Sequence, residues 1–135
     1  MQYLNSNPLS GLRILVVEDD LLIAMDMEAT LEDFGCSVVG PCERLDKALA
    51  AADETIDGAI VDMNLRGEYS FPLIEKLRGK GIPTVVCSGY VDLPDIKLRL
   101  KDVPMLPKPC ATDKLLEIMK RTFVREQRRP QAAAN

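Results

Sequence analysis

Five short apolar runs alternate with amphipathic segments along most of the chain. The first run, Leu-Arg-Ile-Leu-Val-Val at residues 12–17, has the length and composition of a strand buried on both faces of a parallel sheet. Pro41 is expected to break the chain after the second run. We therefore predict five strands, at residues 12–17, 36–40, 56–61, 84–87 and 103–106.

A segment with helical periodicity follows each predicted strand. In the first segment an apolar residue recurs every three or four positions, at Ile23, Met27, Leu31 and Phe34. Asp19 or Asp20 is suited to capping the start of this helix, and Gly35 to ending it. The other predicted helices cover residues 43–52, 70–80, 92–100 and 112–125.

Strict alternation of strands and helices predicts an α/β fold, with a doubly wound parallel sheet and helices on both faces. A chain of 135 residues is long enough to bury one core of its own. We expect residues 11–126 to form this single domain, residues 1–10 to be a flexible arm and residues 127–135 to be a disordered, basic and Ala-rich tail.

Composition narrows the range of functions. The net charge of −4 argues against direct binding to nucleic acid. The chain has no histidine, which excludes histidine acid–base catalysis, a Ser-His-Asp triad and His-containing zinc sites. No apolar run reaches the ~20 residues of a membrane span, and no signal peptide is recognisable, so we expect a cytoplasmic protein without a membrane partner.

The four cysteines, Cys36, Cys42, Cys87 and Cys110, form no C-x-x-C pair. A zinc site or a thioredoxin-like site is therefore not expected. Cys36 and Cys87 fall in predicted strands, where cysteine usually acts as a small buried apolar residue. No disulfide is predicted, in keeping with a reducing cytoplasm.

Charged side chains follow three of the predicted strands at the point where each strand ends. Glu18-Asp19-Asp20 follows the first strand, Asp62 the third and Lys108-Pro109 the fifth. Because the carboxyl ends of parallel strands line one crevice, these groups are expected to meet. Clustered carboxylates do not all stay ionised without a cation, and Mg²⁺ is the expected ion.

These features, together with Ser88-Gly89 after the fourth strand and Gly35 after the first helix, resemble the receiver domain of two-component response regulators. The resemblance covers roughly residues 11–125. It implies a five-stranded sheet with strand order 2-1-3-4-5. It also implies that Asp62 accepts a phosphoryl group from a phosphohistidine of a histidine kinase or a histidine phosphotransfer protein, and that this switches the binding of a downstream protein.

The same resemblance implies a role for each site residue. Glu18, Asp19 and Asp62 would hold Mg²⁺ with the backbone carbonyl of Asn64. Glutamate at position 18 is longer than the usual aspartate, and a contact through water would tolerate it. The hydroxyl of Ser88 and the ammonium of Lys108 would bind the phosphoryl group.

Two features depart from the usual receiver pattern: the residue at position 105, and the loop at residues 64–68, which more commonly has a Pro-Gly form. Met105 stands where many receivers carry an aromatic switch residue. Tyr90 is either a substitute for that aromatic residue or a plain surface or packing tyrosine. Residues 86–90, Val-Cys-Ser-Gly-Tyr, loosely resemble the Phe-Ala-Thr-Gly-Tyr motif of one group of single-domain receivers. Arg66 falls in a loop near the site, where it could meet a phosphate.

Two surfaces are candidates for binding partners. Leu21, Leu22 and Met25 lie partly off the buried stripe of the first helix, which indicates either a docking surface for the phosphodonor or scattered surface apolarity. The output surface would be the face formed by the last two helices and the last strand. The chain is expected to be a monomer or a phosphorylation-dependent homodimer, and it is either a stand-alone regulator or a receiver from a longer protein.

Two other functions fit part of the pattern. Phosphohydrolases of the haloacid-dehalogenase type also use a strand-end aspartate, but they usually place a second acid two residues later, where this chain has Asn64. A receiver-like binding module without phosphorylation is the third hypothesis. Glu18 and Asp20 are also suited simply to capping the first helix, and Asp62 to capping a turn.

Overall fold

The computed structural model describes residues 7–89 and 98–124. Its core is a five-stranded sheet in which every neighbouring pair of strands is parallel. The strands, numbered in chain order, are β1 (Arg13–Val17), β2 (Ser37–Cys42), β3 (Gly58–Asp62), β4 (Thr84–Ser88) and β5 (Met105–Pro107). Their order across the sheet is β2-β1-β3-β4-β5. The predicted fold class and the strand order 2-1-3-4-5 are therefore confirmed.

Helices cover both faces of the sheet. They are α1 (Leu21–Asp33), α2 (Leu45–Ala51), α3 (Phe71–Gly79) and α4 (Thr112–Met119), which continues into a π-helical turn at Lys120–Val124. Most of the helix predicted at residues 92–100 lies outside the described residues. Within the described ranges, none of the helices is both long enough and apolar enough to cross a membrane.

Successive strand residues point to opposite faces, which explains the nearly continuous apolar runs in the sequence. In β1, Leu15 and Val17 pack in one hydrophobic cluster with α2 and α3. Ile14 and Val16 pack in the other cluster, with α1 and α4. Both faces are therefore buried, and the charged groups at the strand ends are left at the rim of the sheet.

The buried face of α1 differs from the predicted stripe at one position. Met27 and Leu31 are buried as expected, but Ile23 is 40% exposed and Ala24 is buried in its place. Positions 23 and 24 lie four and three residues before Met27, so helical periodicity allows either to continue the stripe. The smaller residue lies against the sheet, and the isoleucine faces the cavity beside the charged cluster.

The prediction that Pro41 breaks the chain was wrong, because β2 continues through it to Cys42. β2 is an edge strand, where a residue without a backbone N–H is tolerated. Its register against β1 shifts between Leu15 and Val17, as at a β-bulge. The extra length matters for the site, since the Cys42 carbonyl accepts a hydrogen bond of 2.9 Å from the Glu18 backbone N–H.

Close packing at Gly58 gives a test of this core. A Cβ at position 58 would lie 2.7 to 3.0 Å from ring atoms of Phe123, which is fully buried. We expect Gly58→Ala to lower the free energy of unfolding by about 1–3 kcal/mol, measured by urea denaturation. Gly79→Ala is the matched control, because nothing lies within 4 Å of its Cβ position. Equal midpoints for the two variants would contradict the packing described here.

Candidate functional site

The structure brings the charged groups at the strand ends together at one edge of the sheet. Asp62 is the last residue of β3, Glu18 follows β1 and Lys108 follows β5. The Lys108 Nζ atom lies 2.9 Å from Asp62 Oδ2 and 3.1 Å from Glu18 Oε1. Both carboxylates are buried, with exposed fractions of 4% for Glu18 and 5% for Asp62. One ammonium thus bridges two acids that are 44 positions apart in the chain.

A third carboxylate, that of Asp19, completes an acidic cluster. One oxygen each from Glu18, Asp19 and Asp62 lies within 4.8 Å of the others. Asp19 is partly exposed, so the cluster opens towards solvent on one side. Oxygen ligands at this spacing suit a hard divalent cation such as Mg²⁺, which keeps several waters when it binds. The residues present therefore fit the expected ion.

Burial controls the proton affinity of these acids. It raises the pKa of Glu18 to about 7, and the nearby Asp62 charge contributes to the shift. Burial likewise raises the pKa of Asp62, against the lowering effect of Lys108. Burial alone would lower the pKa of Lys108, but its two carboxylate partners raise it above its ordinary value. Two buried acids share a single ammonium, and a divalent cation would supply the charge needed to keep them ionised.

The segment after β3, predicted as a loop, forms a two-stranded hairpin of Asn64–Leu65 and Glu68–Tyr69. The hairpin brings Arg66 to the site, as expected, where its backbone N–H donates to Asp19 Oδ2 at 3.1 Å. The Arg66 guanidinium donates to the Asp19 backbone carbonyl at 3.2 Å. Arg66 has φ +54, which is uncommon for a residue with a side chain. The contacts with Asp19 fix the position of both residues at the rim of the cluster.

Residues 14–120 match the family described as the response regulator receiver domain. The chain belongs to this family. Among the proteins it is similar to is SdrG from Sphingomonas melonis Fr1, with 41% identity, coverage of 79% of this chain and 92% of that one, and a TM-score of 0.68.

Two further relatives extend the comparison. The receiver domain of the sensor histidine kinase PA1611 from Pseudomonas aeruginosa PAO1, solved with a magnesium ion in its active-site cleft, is 22% identical over 85% of this chain and 98% of its own, with a TM-score of 0.73. The uncharacterized transcriptional regulatory protein YbdJ of Bacillus subtilis (strain 168) is 31% identical over 93 residues, which are 67% of this chain. The match covers 40% of YbdJ, so the receiver spans less than half of this curated relative.

Asn64 and Ser88 lie close to Asp62, and their predicted roles stay predictions. The Asn64 backbone N–H donates to Asp62 Oδ1 at 3.3 Å, and its side-chain oxygen accepts from the Gly67 N–H at 2.7 Å. The side chain is thus engaged in the hairpin, which suits a contribution from the backbone carbonyl. Ser88 is buried at the end of β4, and its carbonyl accepts from the Lys108 N–H at 3.2 Å.

The structure describes only one of the two candidate switch residues. Met105 is half-buried in β5 and packs against the cluster that includes α2 and α3. Tyr90 lies outside the described residues. The proposal that either residue reports phosphorylation therefore stays a prediction.

Sequence reasoning missed the part played by Ser70, which precedes α3. Its buried Oγ donates to the backbone carbonyl of Asp62 at 2.5 Å, and its N–H donates to the Met63 carbonyl at 2.8 Å. These bonds fix the backbone at the end of β3, where the Asp62 side chain begins. A serine before a helix predicts an N-cap, but Ser70 makes no such bond to α3.

The start of α1 combines a cap with exposed apolar side chains. Asp20 Oδ1 accepts from the N–H groups of Leu22 and Ile23 at 3.0 and 3.2 Å, as expected of an N-cap. Leu21, Leu22 and Met25 are 67%, 77% and 55% exposed, respectively. A cavity of about 560 Å³ extends from Leu22 to the charged cluster, and its lining also includes Ile23, Asp62 and Lys108.

Proposed function

We propose that this receiver accepts a phosphoryl group on Asp62 from a phosphohistidine of a histidine kinase or a histidine phosphotransfer protein. The observation that carries the proposal is the 2.9 Å contact between Lys108 Nζ and Asp62 Oδ2 inside a cluster of three carboxylates. A carboxylate is a competent nucleophile for an acyl phosphate. These 135 residues contain no histidine, so the donor histidine lies outside them.

In the proposed step, an Asp62 oxygen attacks the phosphorus atom. The new P–O bond forms as the P–N bond breaks, and the donor imidazole leaves. Lys108 turns from the carboxylate towards a phosphoryl oxygen, and the Ser88 hydroxyl donates to another oxygen. Because phosphoryl transfer depends mainly on positioning and charge neutralisation, these residues supply what the reaction needs.

The cofactor in this proposal is Mg²⁺, which Asp19, Asp62 and the Asn64 backbone carbonyl would hold, with Glu18 contributing through water. The ion would neutralise the charge on the phosphoryl oxygens. Arg66 holds Asp19 from the solvent side and thereby keeps one metal ligand in place. Phosphorylation would then shift a two-state equilibrium read by a downstream protein, with Met105 and Tyr90 as candidate reporters.

The intact mass of the protein tests this function. After incubation with Mg²⁺ and acetyl phosphate, we expect a labile gain of one phosphoryl group, and no gain when EDTA replaces Mg²⁺. Consumption of many equivalents of donor would instead indicate a phosphohydrolase. Absence of any gain would indicate a receiver-like binding module that is not phosphorylated.

The exposed start of α1 is proposed as the docking surface for the phosphodonor protein. Leu22 is 77% exposed and lines the cavity that leads to Asp62. We expect Leu22→Asp to slow phosphotransfer from a phosphohistidine protein by roughly tenfold, since apolar anchors at an interface centre carry much of the binding energy. The rate with acetyl phosphate should not change, because that donor needs no protein surface.

Leu98→Asp is the matched control for docking. Leu98 is 72% exposed, and its neighbour Leu100 packs in the cluster with α2 and α3, on the opposite face from α1. Transfer rates from both donors should match the unmodified protein. If Leu22→Asp and Leu98→Asp reduced the rate of phosphotransfer from the protein donor equally, this would contradict a docking surface on α1.

A further inference from the structure

Two thiols meet beside the charged cluster, although they are 23 positions apart in the chain. The Sγ atoms of Cys87 and Cys110 lie 3.2 Å apart. Cys87 is in β4 immediately before Ser88, and Cys110 follows the Lys108-Pro109 pair. Cys87 and Leu106 are register partners between β4 and β5, and Cys110 lies in the segment that follows β5.

A small molecule can reach this pair. Cys87 and Cys110 both line the cavity of about 560 Å³ that opens beside α1. Cys110 is half-buried and Cys87 is 3% exposed, so Cys110 is the more accessible sulfur. The other two cysteines, Cys36 and Cys42, are buried and do not line this cavity.

We propose that Cys87 and Cys110 form a reversible disulfide when the protein meets a hydroperoxide. A disulfide has an S–S distance of about 2.05 Å, so the sulfur atoms need to approach by roughly 1.2 Å. The loop after β5 carries Cys110 and supplies this movement. Disulfides in reducing compartments are typically transient and redox-sensing, and an accessible pair next to a functional site fits that class.

The chemistry proceeds in two balanced steps. The Cys110 thiolate attacks the terminal oxygen of the hydroperoxide, the O–O bond breaks, and the leaving oxide takes a proton to become an alcohol, or water when the oxidant is hydrogen peroxide. The Cys87 sulfur then attacks the sulfur of the sulfenic acid and gives up its proton to the departing oxygen, which leaves as water. The two thiols lose two electrons and the peroxide gains them.

The surroundings of Cys110 favour its reaction with the peroxide before that of Cys87. The interaction with Cys87 lowers the pKa of the Cys110 thiol from its ordinary value, against the raising effect of burial; the Lys108 charge also lowers it, and the Glu18 and Asp62 charges raise it. A thiolate is the reactive form of cysteine. Burial raises the pKa of Cys36 to about 11, and its Sγ lies 3.4 Å from the Leu9 carbonyl. Cys36 and Cys42 therefore serve as internal controls for general oxidation.

Intact mass and peptide mapping test the disulfide directly. One equivalent of hydrogen peroxide should remove two hydrogens from the mass and two alkylatable thiols, and dithiothreitol should restore both. Digestion without reductant should yield one linked peptide pair, containing Cys87 and Cys110. Cys110→Ser should lose the linked pair, and Cys42→Ala should keep it. No linked pair, or one that includes Cys36 or Cys42, would overturn the proposal.

A consequence for signalling rests on the proposed phosphoacceptor function. The bond would fix the strand end before Ser88 to the loop after Lys108, and a displacement of about 1 Å at a reacting site is costly. We expect the purified disulfide form to take phosphate from acetyl phosphate roughly tenfold more slowly than the reduced form. An equal rate in the two forms would overturn this coupling. If the reduced form is never phosphorylated, the proposed phosphoacceptor function is refuted. The disulfide proposal is unaffected by that result, because its test does not depend on phosphorylation.

Discussion

Replacing Asp62 with asparagine is expected to abolish the labile phosphoryl gain completely. The amide has no carboxylate oxygen to form an acyl phosphate, and it removes one of the three carboxylates that lie within 4.8 Å of one another. Intact mass after incubation with Mg²⁺ and acetyl phosphate measures the effect. Retention of a labile phosphoryl group in Asp62→Asn would exclude Asp62 as the acceptor.

The same substitution should make the fold more stable in the absence of Mg²⁺. Asp62 is 5% exposed, and burial raises its pKa, which means that ionisation of this group opposes folding. Asparagine removes that charge but keeps an oxygen able to accept from Lys108. We expect a gain in the free energy of unfolding near pH 8, measured by urea denaturation in EDTA.

Asp102→Asn is the matched control for both measurements. Asp102 is exposed, and it lies in the described segment before β5. Its replacement should leave both the phosphoryl gain and the urea midpoint unchanged. A loss of stability in Asp62→Asn, in place of the expected gain, would mean that the buried carboxylate is fully compensated by its partners.

Sequence reasoning predicted the placement of the main charged groups because two simple rules coincide. Buried parallel strands require nearly continuous apolar runs, and their carboxyl ends meet at one edge of the sheet. Asp62, Glu18 and Lys108 each stand where such a run ends, so their convergence needed only the strand order. The strand order itself came from the family resemblance and not from the periodicity.

Other features depend on tertiary contacts that leave no pattern in the sequence. The choice between Ile23 and Ala24 for the buried stripe depends on how closely α1 approaches the sheet. The bond from Ser70 to the Asp62 carbonyl replaces the N-cap that local sequence favours. The approach of Cys87 to Cys110 depends on the pairing of β4 with β5 and on the path of the chain after β5, which a spacing of 23 residues does not reveal.

The second large effect is expected when the positive charge of Lys108 is removed. Lys108 forms ion pairs with both Glu18 and Asp62, and within the described part of the chain no other cation lies within 4 Å of either acid. Lys108→Met would leave two buried carboxylates without a counter-charge. We expect a loss of about 3 kcal/mol in the free energy of unfolding near pH 8 in EDTA, measured by urea denaturation.

The loss of stability in Lys108→Met should become smaller as the pH falls. This pH dependence would identify the missing counter-charge as the cause of the loss. The pKa of Glu18 is raised from 4.5 to about 7 in the folded protein, so between these values the native state binds more protons than the unfolded state. Stability therefore falls as the pH rises through this window, already in the unmodified protein. Without Lys108 the pKa values of both acids rise further, and the fall becomes steeper and extends to higher pH. Near pH 5 Glu18 takes up a proton, so the difference in stability between the two proteins should become smaller.

Lys101→Met separates this electrostatic effect from a general effect of losing a lysine. Lys101 is exposed in the segment before β5, so its replacement should leave the stability within about 0.5 kcal/mol of the unmodified protein at both pH values. Added Mg²⁺ should restore part of the stability of Lys108→Met near pH 8, because a bound divalent ion supplies the missing positive charge. A deficit in Lys108→Met that is the same near pH 5 and pH 8, and unaffected by Mg²⁺, would mean that Lys108 acts through packing of its alkyl chain rather than as the counter-ion of Glu18 and Asp62.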